Sequence, residues 1–272
     1  MTFIEYESEE FQEMWETSNC NDLLPEIIKD AEAGIPDAMY YLGEMYFWGR
    51  GIQSDQSVAI QWCLKAAESG NIKAMETICF IVECDLAPKK DISTALTWVI
   101  KAAESDYIIA ISTLGSIYEY GQGVAVDMST ALNWYLKGAE KGNASCMERA
   151  ARIYAGSKEG HEYLKDSKKA EEWFRKAEQS ARTEDELGFD YSAYYTFLDN
   201  EGREKDAFDV MKRGANKGDK QSMEDLGNVY YYGEKYGVSK NMEEAAKWFL
   251  KAAHVGDSYA LRMWSEIKRI QS

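Results

Sequence analysis

Apolar and polar positions alternate with a helical period through most of the chain, and the pattern comes back about every 36 residues. In "AMYYLGEMYFWGRGI" (38–52), Ala38, Leu42 and Tyr46 fall at i, i+4 and i+8, which is one stripe of a helix. Gly49 and Gly51 then stop that helix, since glycine takes up the left-handed conformation of a C-terminal cap without penalty. Asp55 stands where an N-cap belongs, four residues before the next apolar position. A second stripe follows in "AIQWCLKAAESGN" (59–71), with Ala59, Trp62, Cys63 and Ala66 on one face. Gly70 closes this helix and Asn71 is placed to cap the one after it. In this reading Trp62 is the buried knob, and Lys65 is a cation suited to the helix C-terminus.

The two phrases recur together. "AISTLGSIYEYGQGV" (110–124) precedes "ALNWYLKGAEKGN" (131–143), and "SMEDLGNVYYYGEKYGV" (222–238) precedes "AAKWFLKAAHVGD" (245–257). Trp62, Trp98 and Trp134 are 36 residues apart. An antiparallel helix pair cannot cover its own apolar faces, so a repeated pair implies stacking on the next copy. This ruler sets six units near 38–73, 74–109, 110–145, 146–188, 189–221 and 222–259. The first, third and sixth are regular. The second replaces the glycine loop with "CDLAPKK", the fourth with "GSKEGHEYLKDSKK", and the fifth lacks the first-helix motif. Gly43, beside Leu42, is expected to admit a neighbouring helix closely. The expected architecture is a single all-α solenoid over 1–272 with about fifteen helices. Residues 1–37 form an acidic N-terminal cap containing one helix near 21–34, 38–259 carry the repeats, and 260–272 belong to a closing C-terminal helix.

The phrases "LGSIYEYGQGVAVDMSTALNWYLKGAEKGN" and "LGNVYYYGEKYGVSKNMEEAAKWFLKAAHVGD" resemble Sel1-like repeats, relatives of the tetratricopeptide repeat, over residues 34–260. The resemblance implies a right-handed superhelix with its first helices lining a concave groove. It also implies a non-enzymatic scaffold or adaptor that binds other proteins, often in bacteria. A dedicated inhibitor, such as an immunity protein over a toxic effector, is the alternative. Cysteine-rich relatives associated with β-lactams carry a cysteine pair in each repeat, and no unit here has one.

Charge and chemistry refine this picture. The net charge is −16, and residues 1–37 hold eleven acids against Lys29. Such a surface suits a basic partner and opposes a phosphate backbone, which excludes nucleic acid. No stretch approaches the roughly 20 apolar residues of a membrane span, and "MTFIEYESEE" has no signal-peptide pattern. Five irregularly spaced cysteines (Cys20, Cys63, Cys79, Cys84, Cys146) read as reduced, mostly buried thiols of a cytoplasmic protein. The two histidines, His161 and His254, lack the spacing of a zinc site, and no cofactor or metal is expected. The G-x-G of "GRG" and "GQG" follows a helix and is no dinucleotide fingerprint.

Offsets −1, +2, +6 and +9 from the first alanine of each unit define the expected groove face. Unit one contributes Asp37, Tyr40, Glu44 and Phe47, and unit two Lys73, Glu76, Phe80 and Glu83. Later units add Glu119, Glu148, Arg152, Glu224 and Tyr231. Seven carboxylates stand against Lys73 and Arg152, with the aromatic anchors concentrated in the first two units. The expected ligand is another protein with a basic, partly apolar surface. These features name neither the partner nor the oligomeric state.

Overall fold

A computed structural model describes residues 6, 8, 11, 15, 16, 20–84, 86, 89–156, 164–181 and 189–271, with the side chains of 20, 21, 89–92 and 271 left aside. Fourteen α-helices have their bounds within these residues, and no strand occurs among them. The chain groups into two compact units, Met1–Cys146 and Met147–Ser272.

In the first unit, α1 (Cys20–Glu32) lies where a lone helix was expected near 21–34. Three helix pairs then begin: α2 (Pro36–Trp48) with α3 (Gln56–Glu68), α4 (Ile72–Glu83) with α5 (Lys89–Glu104), and α6 (Ile108–Tyr120) with α7 (Met128–Glu140). The first helices start 36 residues apart, two residues ahead of the bounds read from the alanines. Each helix packs on the next, and α4 also packs on α6 and α3 on α5, which is the layered packing of a solenoid. The second unit repeats the scheme. Helix α8 (Ala144–Tyr154), whose first residues fall at the end of the first unit, leads to α9 (Ser167–Ser180), then α10 (Tyr191–Asn200) with α11 (Glu204–Asn216), and α12 (Lys220–Tyr232) with α13 (Met242–His254). The closing helix is α14 (Ser258–Gln271), packed on α13.

The repeat chemistry works locally as its residue types dictate. Gly49, Gly121 and Gly233 end α2, α6 and α12 at φ of 70°, 75° and 77°. Asp55 and Asn71 accept hydrogen bonds from the amides of Val58 and Ala74, capping α3 and α4. One further bond closes four of the connections between the two helices of a pair among the described residues. The amides of Asp55, Asp127, Asp166 and Asn241 donate to the carbonyls of Tyr46, Tyr118, Tyr154 and Tyr230 at 2.8–3.0 Å. The connections in the fourth and sixth pairs differ in length, yet their two ends meet in the same way.

Packing revises the role of the tryptophan. Trp62, Trp98 and Trp134 are half-buried, and the fully enclosed residue is the one that follows. Cys63, Val99, Tyr135, Phe174 and Phe249 are at most 1 % exposed. In the regular pairs this side chain lies on the glycine of the preceding helix: Cys63 over Gly43, Tyr135 over Gly115 and Phe249 over Gly227. A Cβ on any of these glycines would stand 2.5–2.8 Å from it, so the glycine is the socket and the residue after Trp is the knob. The lysine three residues past Trp covers the outer ring face instead of serving only the helix end. Lys65, Lys137, Lys176 and Lys251 lie 4.1–5.1 Å from the ring centres of Trp62, Trp134, Trp173 and Trp248.

The acidic N-terminal cap is held by aromatic packing that its charge concealed. Tyr6 and Phe11 are buried and contact Tyr41 of α2 at 5.6 and 4.7 Å between ring centres, and Trp15 meets the same ring at 4.8 Å. Tyr6 Oη donates to Asp30 at 3.0 Å. The fifth pair, which lacks the motif, is likewise built on rings. Tyr191, Tyr194, Tyr195 and Phe197 are buried, and Tyr194 stacks on Phe174 of α9 at 5.0 Å.

Cys63, Cys79 and Cys146 are buried, but Cys84, expected to be buried, is exposed after α4. Burial pushes the Cys63 and Cys79 thiols up to about 12, so both stay protonated and unreactive at neutral pH. Iodoacetamide at neutral pH therefore modifies Cys84 in the native protein and spares Cys63, Cys79 and Cys146 until denaturant is added. Peptide mass spectrometry reads the difference, and native labelling of Cys63 at the rate of Cys84 contradicts the packing. His161, with Glu159 and Glu162, lies outside the described residues. His254 is exposed in the last turn of α13.

Candidate functional site

The first helices of the first unit bring most of the expected groove residues of pairs one and two onto neighbouring turns. Asp37, at the start of α2, accepts a hydrogen bond at 2.6 Å from Nδ2 of Asn71, whose own Oδ1 caps α4. One turn on, Tyr40 is half-buried, and burial raises its hydroxyl above the usual phenol range, with Glu44 adding to the effect. Glu44, a further turn along, accepts from Trp48 Nε1 at 3.1 Å and from Thr77 Oγ1 of α4 at 3.5 Å. Burial raises the Glu44 carboxyl, while Trp48, Arg50 and Thr77 pull it back. Phe47 is half-buried and meets Trp48 edge-to-face at 4.8 Å. Trp48 itself is 58 % exposed.

Helix α4 carries Lys73, Glu76 and Phe80 in the open, Phe80 at 48 % exposure, with Glu83 half-buried beyond them. Lys73 Nζ stands 5.8 Å from the Tyr41 ring centre. Gln122 reaches back from beyond α6 to donate to the Glu83 carbonyl. In the third pair the face closes. Glu119 is 8 % exposed and accepts from Tyr135 Oη at 2.7 Å, so it is a core acceptor and not a surface charge. Ser116 beside it is 3 % exposed.

The expected residues of the second unit are tied to one another. Arg152 is held by Glu148 at 2.9 Å and by Asp190, whose amide donates to Glu148 at 3.2 Å. Glu224 is hydrogen-bonded to Asp257, and burial followed by that neighbour raises its carboxyl to about 7. Tyr231 is half-buried with Lys240 5.4 Å from its ring centre.

Sequence reasoning passed over Thr77 and Trp48, and read Asn71 only as a helix cap. A signal for Trp48 was present: it stands four residues after Glu44, one helical turn away, and directly before the capping Gly49. Thr77, and the bond from Asn71 to Asp37, become visible only when α2 and α4 are laid side by side.

Comparison with known proteins matches the Sel1 repeat model to residues 36–71, 86–107, 109–143, 145–180 and 220–257, more than half of the sequence. The chain belongs to the Sel1 repeat family. The stretch left unmatched between 180 and 220 is the aromatic fifth pair, whose motif is missing. A Sel1 repeat protein from Oxalobacter formigenes is similar in structure, with a TM-score of 0.59 and 24 % identity over 91 % of this chain and 99 % of that one. A protective antigen from uropathogenic Escherichia coli displaying an SLR fold aligns at a TM-score of 0.49 and 23 % identity, over 95 % of this chain and 63 % of its own. Sel1 repeat proteins are generally protein-interaction scaffolds on a non-catalytic fold. No helix among the described residues is long and apolar enough to cross a membrane.

Proposed function

We infer that this Sel1 repeat protein is a non-catalytic adaptor that docks a basic, partly apolar partner protein on the first-helix face of pairs one and two. The supporting observation is the exposed Trp48 ring hydrogen-bonded to the half-buried carboxylate of Glu44 on α2, with Phe80 exposed on α4, whose Thr77 also donates to Glu44. Exposed aromatics rimmed by charge are the usual composition of a binding hot spot. Glu76 and Glu83 extend the negative rim, which favours rapid encounter with a cationic surface. The burial of Cys63 and Cys79 as thiols suits a reducing, cytoplasmic setting.

The test is a purified partner, first captured from the native organism and then measured against variants. Tyr40→Ala and Phe80→Ala each weaken binding by about 2 kcal/mol or more. Glu76→Lys and Glu83→Lys chiefly slow association, with the loss greatest at low salt. Folded aromatic variants that bind the partner unchanged put the docking face elsewhere, and the acidic 1–37 segment is then the next surface to vary.

A further inference from the structure

Partly buried carboxylates need a partner, because removing charge from water is costly. In the second unit four such carboxylates are met by cations inside the chain. Glu148 pairs with Arg152 at 2.9 Å, Glu171 with Arg203 at 2.6 Å, Glu178 with Arg213 at 2.8 Å and Asp199 with Lys235 at 2.5 Å. Glu44 of the first unit is the contrasting case. It is half-buried, and its only hydrogen-bond donors among the described residues are neutral, the Trp48 indole and the Thr77 hydroxyl. Among the described residues no cation forms an ion pair with it, and exposed Arg50 acts on the carboxyl only from beyond ion-pair distance. Two neutral donors occupy about half of the acceptor positions a carboxylate offers.

The surroundings of Glu44 are those a flat cation requires. Tyr40 precedes it by one turn and Trp48 follows by one turn, so a ring stands on either side of the carboxylate along α2. A guanidinium can lie on an exposed indole while hydrogen-bonding a carboxylate through its fork, which a compact ammonium does less well.

We propose that Glu44, with Tyr40 one turn before it and Trp48 one turn after it, is a socket for a single arginine side chain presented by the partner protein. This deepens the docking reading above and rests on it. The socket supplies the counter-charge complementarity, the rings supply the stacking, and the arginine offsets the cost of the half-buried carboxylate. It also sets a requirement on the partner: one arginine at the docking surface outweighs its general basicity.

The experiment uses the full chain and no partner. The 15N-labelled protein is titrated with N-acetyl-arginine amide, and the Trp48 indole N–H resonance, assigned with Trp48→Phe, is followed by NMR. A saturable shift in the millimolar range is expected, as befits one side chain. N-acetyl-citrulline amide has nearly the same shape without the charge and should leave the resonance unmoved. In folded Glu44→Gln the arginine-induced shift disappears. The socket is overturned by no shift with arginine amide, by equal shifts with arginine and citrulline amides, or by a shift that persists in Glu44→Gln. The arginine–citrulline comparison on the unmutated chain decides the matter even if Glu44→Gln fails to fold. Failure here leaves the wider docking reading to the Tyr40 and Phe80 variants.

Discussion

Tyr135→Ala should lower stability by about 3–5 kcal/mol, the cost of removing a fully buried ring from a core that cannot collapse around it. Trp134→Ala, next to it, should cost clearly less. The contrast follows from burial. Tyr135 is 1 % exposed, lies against Gly115, and donates to the buried Glu119 at 2.7 Å. Trp134 is half-buried, with Lys137 over its ring at 5.1 Å. Tyr135→Phe separates the two parts of the effect: it keeps the ring and removes the donor, and should cost about 1.5–3 kcal/mol because the acceptor is a carboxylate. Chemical denaturation followed by circular dichroism measures all three. A Trp134→Ala loss as large as that of Tyr135→Ala would return the knob to the tryptophan and undo the packing described for the repeat.

Gly43→Val should destabilise by about 1–3 kcal/mol or more, although glycine in a helix interior is ordinarily about 1 kcal/mol worse than alanine. The sign is decided by what a Cβ would meet. It would stand 2.6 Å from Cys63 Sγ, 3.2 Å from the Ala59 carbonyl oxygen and 3.3 Å from the Cys63 amide nitrogen. Two of these three atoms are backbone, so the strain is relieved only by moving α3 away from α2. Adding Cys63→Ala removes the sulfur contact and leaves the backbone ones, so it should restore part of the loss and no more. A Gly43→Ala variant that melts higher than the parent would show that the helices are not in close contact there. Since Glu44 follows Gly43 directly, the same close crossing sets where the carboxylate stands relative to its neighbours.

Much of this architecture was legible in the chain itself, because it depends on local rules that act within one or two turns. The 36-residue period, the pairing of helices, Gly49 and Gly121 as C-caps, Asp55 and Asn71 as N-caps, and the glycine next to Leu42 all follow from spacing and residue type. So did the concentration of aromatic and acidic residues in the first two pairs. Tertiary structure decided what spacing cannot, namely which of two adjacent apolar residues is enclosed. Trp62 and Cys63 differ by only 100° around the helix, and both fit an apolar stripe. The neighbouring glycine, reached only by folding, selects the second and turns the first toward its lysine. Glu119 read as a groove charge for the same reason. Its periodicity put it on the exposed face, and a tyrosine from the next helix closed over it. The unpaired state of Glu44 also belongs to the fold alone, since whether a carboxylate has a counter-ion depends on what neighbouring helices bring to it.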